Sequence, residues 1–492
     1  MLYPDFKTYK KLSHRGNLIP IVKELILDRE TPVSAFIKVS CNETSAFLLE
    51  SVEYGEKIGR YSFIGFDPEI ILEKNDDNIV VKERARGNKS FNRDDLLDVM
   101  KDILSRYKLV PVKNLPAFCG GFVGFLSYEN VAIFEDVYLK KMRSLNFPNA
   151  IFFLVRSLIV FDHLDKKVKL IVMSHANKSI KHSYDEALKK IGKLEKSFLR
   201  KKRTFVKSKQ KKYVSKIKSN MTKKQFVSSV NKIKKYIRAG DVIQVVFSQR
   251  FFLGKTNNDF NIYRALRTIN PSPYMFYFKH NDIRLIGSSP EMLVRKEGEH
   301  AEVRPIAGTR KRGKNADEDK VLARELKSDE KELAEHLMLV DLGRNDIGRV
   351  CQFNTIKVKD YARIEKYSHV MHLVSEVHGL LRKGKDSFDL LRATFPAGTV
   401  TGAPKIRAME IINEIEPTER GPYAGCVGYF GFNENCDMCI TIRTIMMKGK
   451  KVFLQVGAGI VFDSVPSREY IETLNKAKAL IKAVEIAESE IL

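Results

Sequence analysis

Several absences in this chain of 492 residues each remove a class of function. No run of 18 apolar residues exists, so no stretch reads as a membrane-crossing helix. The N-terminus, MLYPDFKTYKKL, lacks the charged-then-apolar order of an export signal. Cysteine is scarce: the six, Cys41, Cys119, Cys351, Cys426, Cys436 and Cys439, are too few for a disulfide scaffold and fit a reducing compartment. The expectation is a soluble, cytoplasmic protein. Cys436 and Cys439 form a C-x-x-C, but without a second pair or a histidine at metal spacing it points to neither zinc nor redox work. The G-x-x-x-x-G-K-[ST] loop is missing, which argues against nucleotide hydrolysis. There is no internal repeat and no alternating βαβ period, so an α+β fold is favoured over a doubly wound sheet.

Negative charge is in deficit. Lys and Arg number 86 against 60 Asp and Glu, a net +26, with lysine densest between Leu199 and Lys224. Such a balance steers anionic metabolites and would equally tolerate nucleic acid or an anionic membrane. No helix-turn-helix, zinc-finger or RNA-recognition signature accompanies it, so small anions are the expected partners and neither nucleic acid nor membrane is.

What is present fills real cores, since 43% of residues are hydrophobic. Residues 1–200 read as an N-terminal α+β domain of short strands (35–39, 46–50, 61–65, 79–82, 151–161 and the glycine-rich 120–129) with helices near 93–106 and 183–198. A basic linker, 201–221, separates it from a denser domain over 222–492. There Thr222 caps a helix that runs to Ala239 and ends at Gly240. Strands are expected at 241–252, 274–278, 423–432, 437–447 and 451–456, with two more around the GSSPE turn. Helices are expected at 261–268, 329–342, 387–394 and 404–414, the third of these followed by a Thr-rich loop and the second by a loop, DLGRND.

Gln455 to Lys476 combines a strand, a glycine turn (Gly457, Ala458, Gly459) and a helix that Ser467 opens as N-cap. That helix carries Glu469 and Glu472 three residues apart, on one face. Bare amides beside paired carboxylates suit a small carboxylate bridged to a hard cation, with magnesium favoured. A solvated glutamate pair after a βα turn has the same spacing. Glu332 and Glu335 repeat it on the 329–342 helix, so two acidic faces could clamp one ion, or make surface salt bridges. His336 beside them reads as a structural hydrogen-bonding residue. PAGTVTGAPK (396–405) places the Thr399 and Thr401 hydroxyls before a helix with Pro404 at its first position, an arrangement that favours an anion. Arg443 and Tyr423 lie on strands running towards the first stretch, where Arg443 could grip a carboxylate by a bidentate fork. His372 in SHVMH can move a proton at neutral pH, and a buried structural histidine fits too. Glu291, in the SSPE turn, is a candidate general acid whose pKa burial would raise.

PIAGT, EHLMLVDLGRND, SHVMH, TFPAGTVTGAPK, GPYAGCVGY and QVGAGIVFDSVP, in this order over 222–480, resemble the chorismate-utilising enzymes, and most closely their anthranilate synthase large components (component I). LLES, GRYSFIG and GGFVGFLSYE carry the likeness into the first half. The resemblance implies two packed, mainly antiparallel sheets flanked by helices. It also implies a magnesium-dependent lyase that turns chorismate and ammonia into anthranilate and pyruvate, the first committed step of tryptophan biosynthesis. Carried over by motif, Glu335 and Glu472 bind Mg2+, with Glu332 and Glu469 close by. Gly308, Thr309, Tyr423, Arg443, Gly457, Ala458 and Gly459 bind chorismate, while His372, Thr399 and Glu291 serve the elimination and the departing hydroxyl.

Relatives that use water resemble one another in a lysine where this chain has Gln244. Those that make aminodeoxychorismate typically have a lysine where it has Ala307. With neither amine, an external nucleophile is expected, and ammonia fits; aminodeoxychorismate synthase component I is the alternative. No G-x-C-x-G glutaminase elbow occurs, so the resemblance implies a separate glutamine amidotransferase subunit (component II), in a heterodimer or heterotetramer. It further implies feedback inhibition by tryptophan, held by Ser51, Pro273, Tyr274 and Met275.

Overall fold

A computed structural model describes residues 2–26, 29–51, 59–84, 87–92, 95–140, 145–176, 179–199, 217–367 and 370–489. Residues 201–216 of the expected linker, with Arg200 before it, and Ser368 and His369 of the SHVMH motif lie outside them. Among the described residues no helix is long and apolar enough to cross a membrane.

Two antiparallel sheets, of 13 and 12 strands, make up the centre, as the α+β expectation required. Each takes strands from both sides of residues 200–216. In the larger sheet Ser45–Glu50 pairs with Tyr274–His280, and in the smaller one Gly121–Leu126 pairs with Cys426–Gly431. The inner faces meet through large rings: Phe278 of the larger sheet stacks on Phe153 at 4.5 Å and meets Phe125 edge-on at 5.7 Å. Helices cover the outer faces. Ile180–Leu199, Asp259–Ile269 and Pro466–Ser489 bury apolar stripes against the larger sheet, and Phe388 of Ser387–Thr394 stacks on Phe430 of the smaller one at 4.5 Å.

Local signals decide many elements. Thr222 caps Lys223–Ala239 by accepting from the Gln225 amide, and Gly240 ends it in the left-handed region at φ 83°. Other expectations fail for identifiable reasons. Residues 35–39, expected as a strand from their β-branched and aromatic content, sit in the helix Pro32–Ser40. Thr31, Pro32 and Ser34 form a capping box with proline in the first turn, and this local signal outweighs β-propensity. The expected strand 151–161 is two, Ala150–Val155 and Ser157–Asp162, one in each sheet. The expected strand 437–447 likewise splits into Cys436–Ile440 and Thr444–Lys448, again one in each. Strands buried on both faces show no alternation, so the break between them leaves no trace in the pattern.

The DLGRND segment is not a loop, because the helix Glu330–Gly348 continues through it. Pro404 stands at the N-cap of Lys405–Ile415 and not inside it, and Ser467 lies inside the first turn of the helix that starts at Pro466. The glycine turn is no turn either: Lys451–Ile460 is one strand that passes through Gly457 and Gly459, paired with Gln244–Lys255.

Because both sheets cross the 200–216 segment, residues 217–492 expressed alone would expose two strand edges and the ring contacts of Phe278. That fragment is expected to show no cooperative thermal transition by near-UV circular dichroism. A sharp melt would show that the shared sheets are dispensable.

Candidate active site

The chain passes from one sheet to the other between Ser289 and Met292, and again between Ile440 and Thr444. Glu291 occupies the first crossing and Arg443 the second, the latter at φ 49°. The two crossings are tied together: the Ile440 amide donates to the Glu291 carbonyl at 3.0 Å, and the Ser288 amide to that of Arg443 at 3.2 Å. Both side chains therefore belong to one corner of the sandwich.

The glycine strand runs beside this corner. Lys476 Nζ donates to the Gly457 carbonyl at 3.0 Å, so Gly457 turns its backbone away from Gln244–Lys255, and ladder alternation turns Gly459 the same way. Neither position has room for a side chain. A Cβ on Gly457 would lie 2.6 Å from Tyr423 Oη, and one on Gly459 2.9 Å from Gln244 Nε2. Ala458 points the other way, into the core. Tyr423 is buried, and burial pushes its hydroxyl up to about 12, so it keeps its proton and donates.

The acidic helices flank the same strand. Asp329 caps Glu330–Gly348 by accepting from the Lys331 and Glu332 amides. Glu335 accepts from Gln244 Nε2 at 3.0 Å. Glu332 accepts from Arg310 at 3.1 Å and stands 3.2 Å from where a Cβ on Gly308 would be. On the second helix Glu472 pairs with Lys476 at 2.7 Å. Burial pushes the Glu332 and Glu469 carboxyls up, and each is raised further by its helix neighbour, Glu335 and Glu472 respectively. Lys331 of the first helix lies within electrostatic reach of Glu469 on the second.

The four carboxylates, with Glu332 paired to Arg310 and Glu472 to Lys476, make a hard-oxygen donor set that fits a divalent cation such as Mg2+. Among the described residues the group already within 4.8 Å of one another is Glu302, Glu376 and His378, elsewhere on the smaller sheet; the four site glutamates stand further apart.

Proton-handling groups complete the corner. His372 Nδ1 lies 2.7 Å from the Gly308 carbonyl, which can only accept, so Nδ1 carries the proton and Nε2 keeps its lone pair. Thr309 Oγ1 is 3.2 Å from the same nitrogen, and Gly308 reaches this position at φ 62°. Burial lowers the His372 pKa; the Gly308 bond opposes that and the charge of Arg443 adds to it. Glu291 is 8% exposed, and burial lifts its carboxyl to about 7 against the opposing influence of the nearby Thr399 hydroxyl and the charge of Lys476. Glu291 and Thr399 line one cavity with Pro305 and Asp346. The Arg443 guanidinium is half-buried, its hold on the proton weakened by desolvation, and among the described residues it makes no ion pair or hydrogen bond.

Two satisfied ion pairs hold the frame. Arg420 pairs with Glu416 at 2.7 Å and donates to the Val400 and Val246 carbonyls, clasping the Thr-rich loop. Lys405 pairs with Asp346 at 2.7 Å. His336 is structural, as expected: it is fully buried, bonded to Ser375 Oγ at 2.6 Å and pushed down to about 4.

A second cavity opens between the sheets and is lined by Ser51, Pro273, Tyr274 and Met275 together with Arg295 and Asp437. Tyr274 donates to Asp437 at 2.9 Å, and Arg295 pairs with Asp437 at 2.8 Å. The four residues expected to hold an inhibitor thus share one concavity, although 222 positions of sequence separate Ser51 from Pro273.

The structure gathers Glu291, Glu332, Glu335, Gly308, Thr309, His372, Thr399, Tyr423, Arg443, the glycine strand, Glu469 and Glu472 around one corner. Sequence reasoning missed Lys476, which touches Gly457 and Glu472 and acts on Glu291; its signal was the i, i+4 spacing from Glu472. It also missed that Gln244 bonds Glu335 and that Lys405 bonds Asp346.

The chain as a whole has relatives among known proteins. The family profile described as chorismate binding enzyme matches residues 44–482. The chain is 46% identical to the anthranilate synthase component 1 of Acetivibrio thermocellus, over 99% of both chains. It is 48% identical to that of Aquifex aeolicus, over 97% of both. Among solved structures it is similar to anthranilate synthase component I from Streptococcus pneumoniae, with a TM-score of 0.78, 35% identity, and coverage of 88% of this chain and 94% of that one. The menaquinone-specific isochorismate synthase of Escherichia coli, at 19% identity and a TM-score of 0.70, shares the fold.

Glu291 offers a test of the corner's electrostatics. Its folded pKa of about 7 lies above the ordinary 4.5, so the folded chain binds this proton more tightly than the unfolded one. Stability should therefore fall as pH rises between those values, by up to roughly 3 kcal/mol for this group. Glu291→Gln removes the titration: relative to it, wild type should lose stability from pH 4.5 to 7 in denaturant unfolding. A pH-independent difference would contradict the burial argument.

Proposed function

The chain belongs to the chorismate binding enzymes, and on that footing we propose that it is a large component of an anthranilate synthase, converting chorismate and ammonia to anthranilate and pyruvate. The observation that carries this reading is the half-buried Arg443, which among the described residues makes no ion pair, beside two helices that each bring a glutamate pair to the same corner. A dicarboxylate bound together with Mg2+ satisfies both.

In this reading Arg443, the Tyr423 hydroxyl and the outward amides of Gly457 and Gly459 hold one substrate carboxylate. Glu335 and Glu472 would hold Mg2+, with Glu332 and Glu469 beside them. The ion supplies Lewis-acid neutralisation of a carboxylate when bound. Glu291, protonated below about pH 7 and sharing a cavity with Thr399, gives its proton to the hydroxyl that leaves C4 as ammonia attacks C2. His372, its Nδ1 proton committed to Gly308, uses the Nε2 lone pair to take the C2 proton as the enolpyruvyl group departs. Thr309 keeps that ring in place. Neither Gln244 nor Ala307 offers an amine, which supports ammonia as the nucleophile, delivered by a separate glutaminase component.

The second cavity supports tryptophan as inhibitor. Its aromatic and apolar walls suit an indole, and Arg295, Asp437 and the Ser51 hydroxyl suit an amino acid's charged end.

Purified chain with chorismate, ammonium salt and Mg2+ is expected to release anthranilate, read by fluorescence and mass, with one pyruvate each, and tryptophan should suppress the release. Glu335→Gln should lose at least 100-fold in turnover at limiting Mg2+ while its melting temperature holds. Aminodeoxychorismate without pyruvate would overturn the reading. His372→Ala is expected to slow pyruvate release and let an aminated intermediate accumulate; full pyruvate production in that variant would remove His372 from the elimination.

A further inference from the structure

Gln244 stands where three parts of the corner meet. It is 3% exposed and opens a two-rung ladder in which it pairs with Ala403, at the end of the Thr-rich loop. Its Nε2 is 2.9 Å from where a Cβ on Gly459 would stand, and 3.0 Å from Glu335 Oε1. A carboxylate only accepts, so the amide nitrogen must face Glu335. With backbone on two sides, the amide has little room to swing.

The helix that carries Glu335 is anchored a second time. Asp346, eleven residues further and three turns along the same face, pairs with Lys405 at 2.7 Å. Lys405 follows Ala403 by two residues, so both anchors refer the acidic helix to the same piece of chain.

We propose that Gln244 is a positioning residue: its amide fixes one oxygen of Glu335 so that the carboxylate presents the other to a divalent cation. The proposal rests on the reading of Glu335 as a metal ligand. A neutral amide suits the task because it orients the carboxylate without cancelling the charge that attracts the ion. A lysine in its place would compete with the ion.

The test is a Mn2+ titration of the full chain without chorismate, followed by loss of the free-ion electron paramagnetic resonance signal. Gln244→Met keeps the volume and removes the donor, and should weaken the Kd by 10–100-fold, the usual cost of losing a group that orients a ligand. Gln244→Lys keeps a donor but adds a rival charge, and should weaken it at least as much. Should the methionine variant not fold, the lysine variant carries the test. An unchanged Kd in a folded variant overturns the proposal, as does a wild type that takes up no Mn2+. A wild type that binds Mn2+ yet turns over no chorismate would overturn the proposed function and leave Gln244 in its role.

Discussion

Strands that leave one sheet and enter the other within three residues are the constraint on which the rest of the structure depends. A strand cannot change sheets without breaking its ladder, and at the break the backbone takes conformations that no strand allows, such as φ 49° at Arg443. The side chains at these breaks are therefore aimed by neither sheet's pleat. Glu291 and Arg443 point into the corner because the crossings do, and the helices that close the corner bring the carboxylates.

That corner concentrates unmet charge, in contrast to the frame around it. Arg420 is fully buried yet has Glu416 and two carbonyls, and Asp346, raised to about 6 by burial, has Lys405. Such pairs hold geometry, and removing one partner would leave a buried charge, which costs about 3–5 kcal/mol. Among the described residues Arg443, Glu291 and Glu469 make no ion pair. Groups kept in unfavourable protonation balance cluster at sites where a charged ligand can supply what the protein withholds.

Elements with an exposed face were legible in the sequence, since water writes a period into them: the helix after Thr222, with its capping box and terminal glycine, matches residue for residue. Elements buried on both faces were not. The runs 151–161 and 437–447 are uniformly apolar or mixed, and nothing in them marks the passage between sheets. The glycines at 457 and 459 suggested a turn because glycine frees the backbone; their actual cause is crowding by Tyr423 and Gln244, which only the folded chain reveals. In the site, motif residues could be read from their order, whereas Lys476 and the bond from Gln244 to Glu335 depend on strands and helices far apart in the chain.

On the proposed reading, two glutamate pairs on separate helices serve one ion next to Arg443. Anomalous diffraction from crystals grown with Mn2+ and a non-reactive dicarboxylate analogue of chorismate tests it most directly. One strong peak bonded to Glu335 and Glu472 is expected, with a carboxylate of the analogue on Arg443. A peak at Glu302, Glu376 and His378 and none between the acidic helices would contradict it.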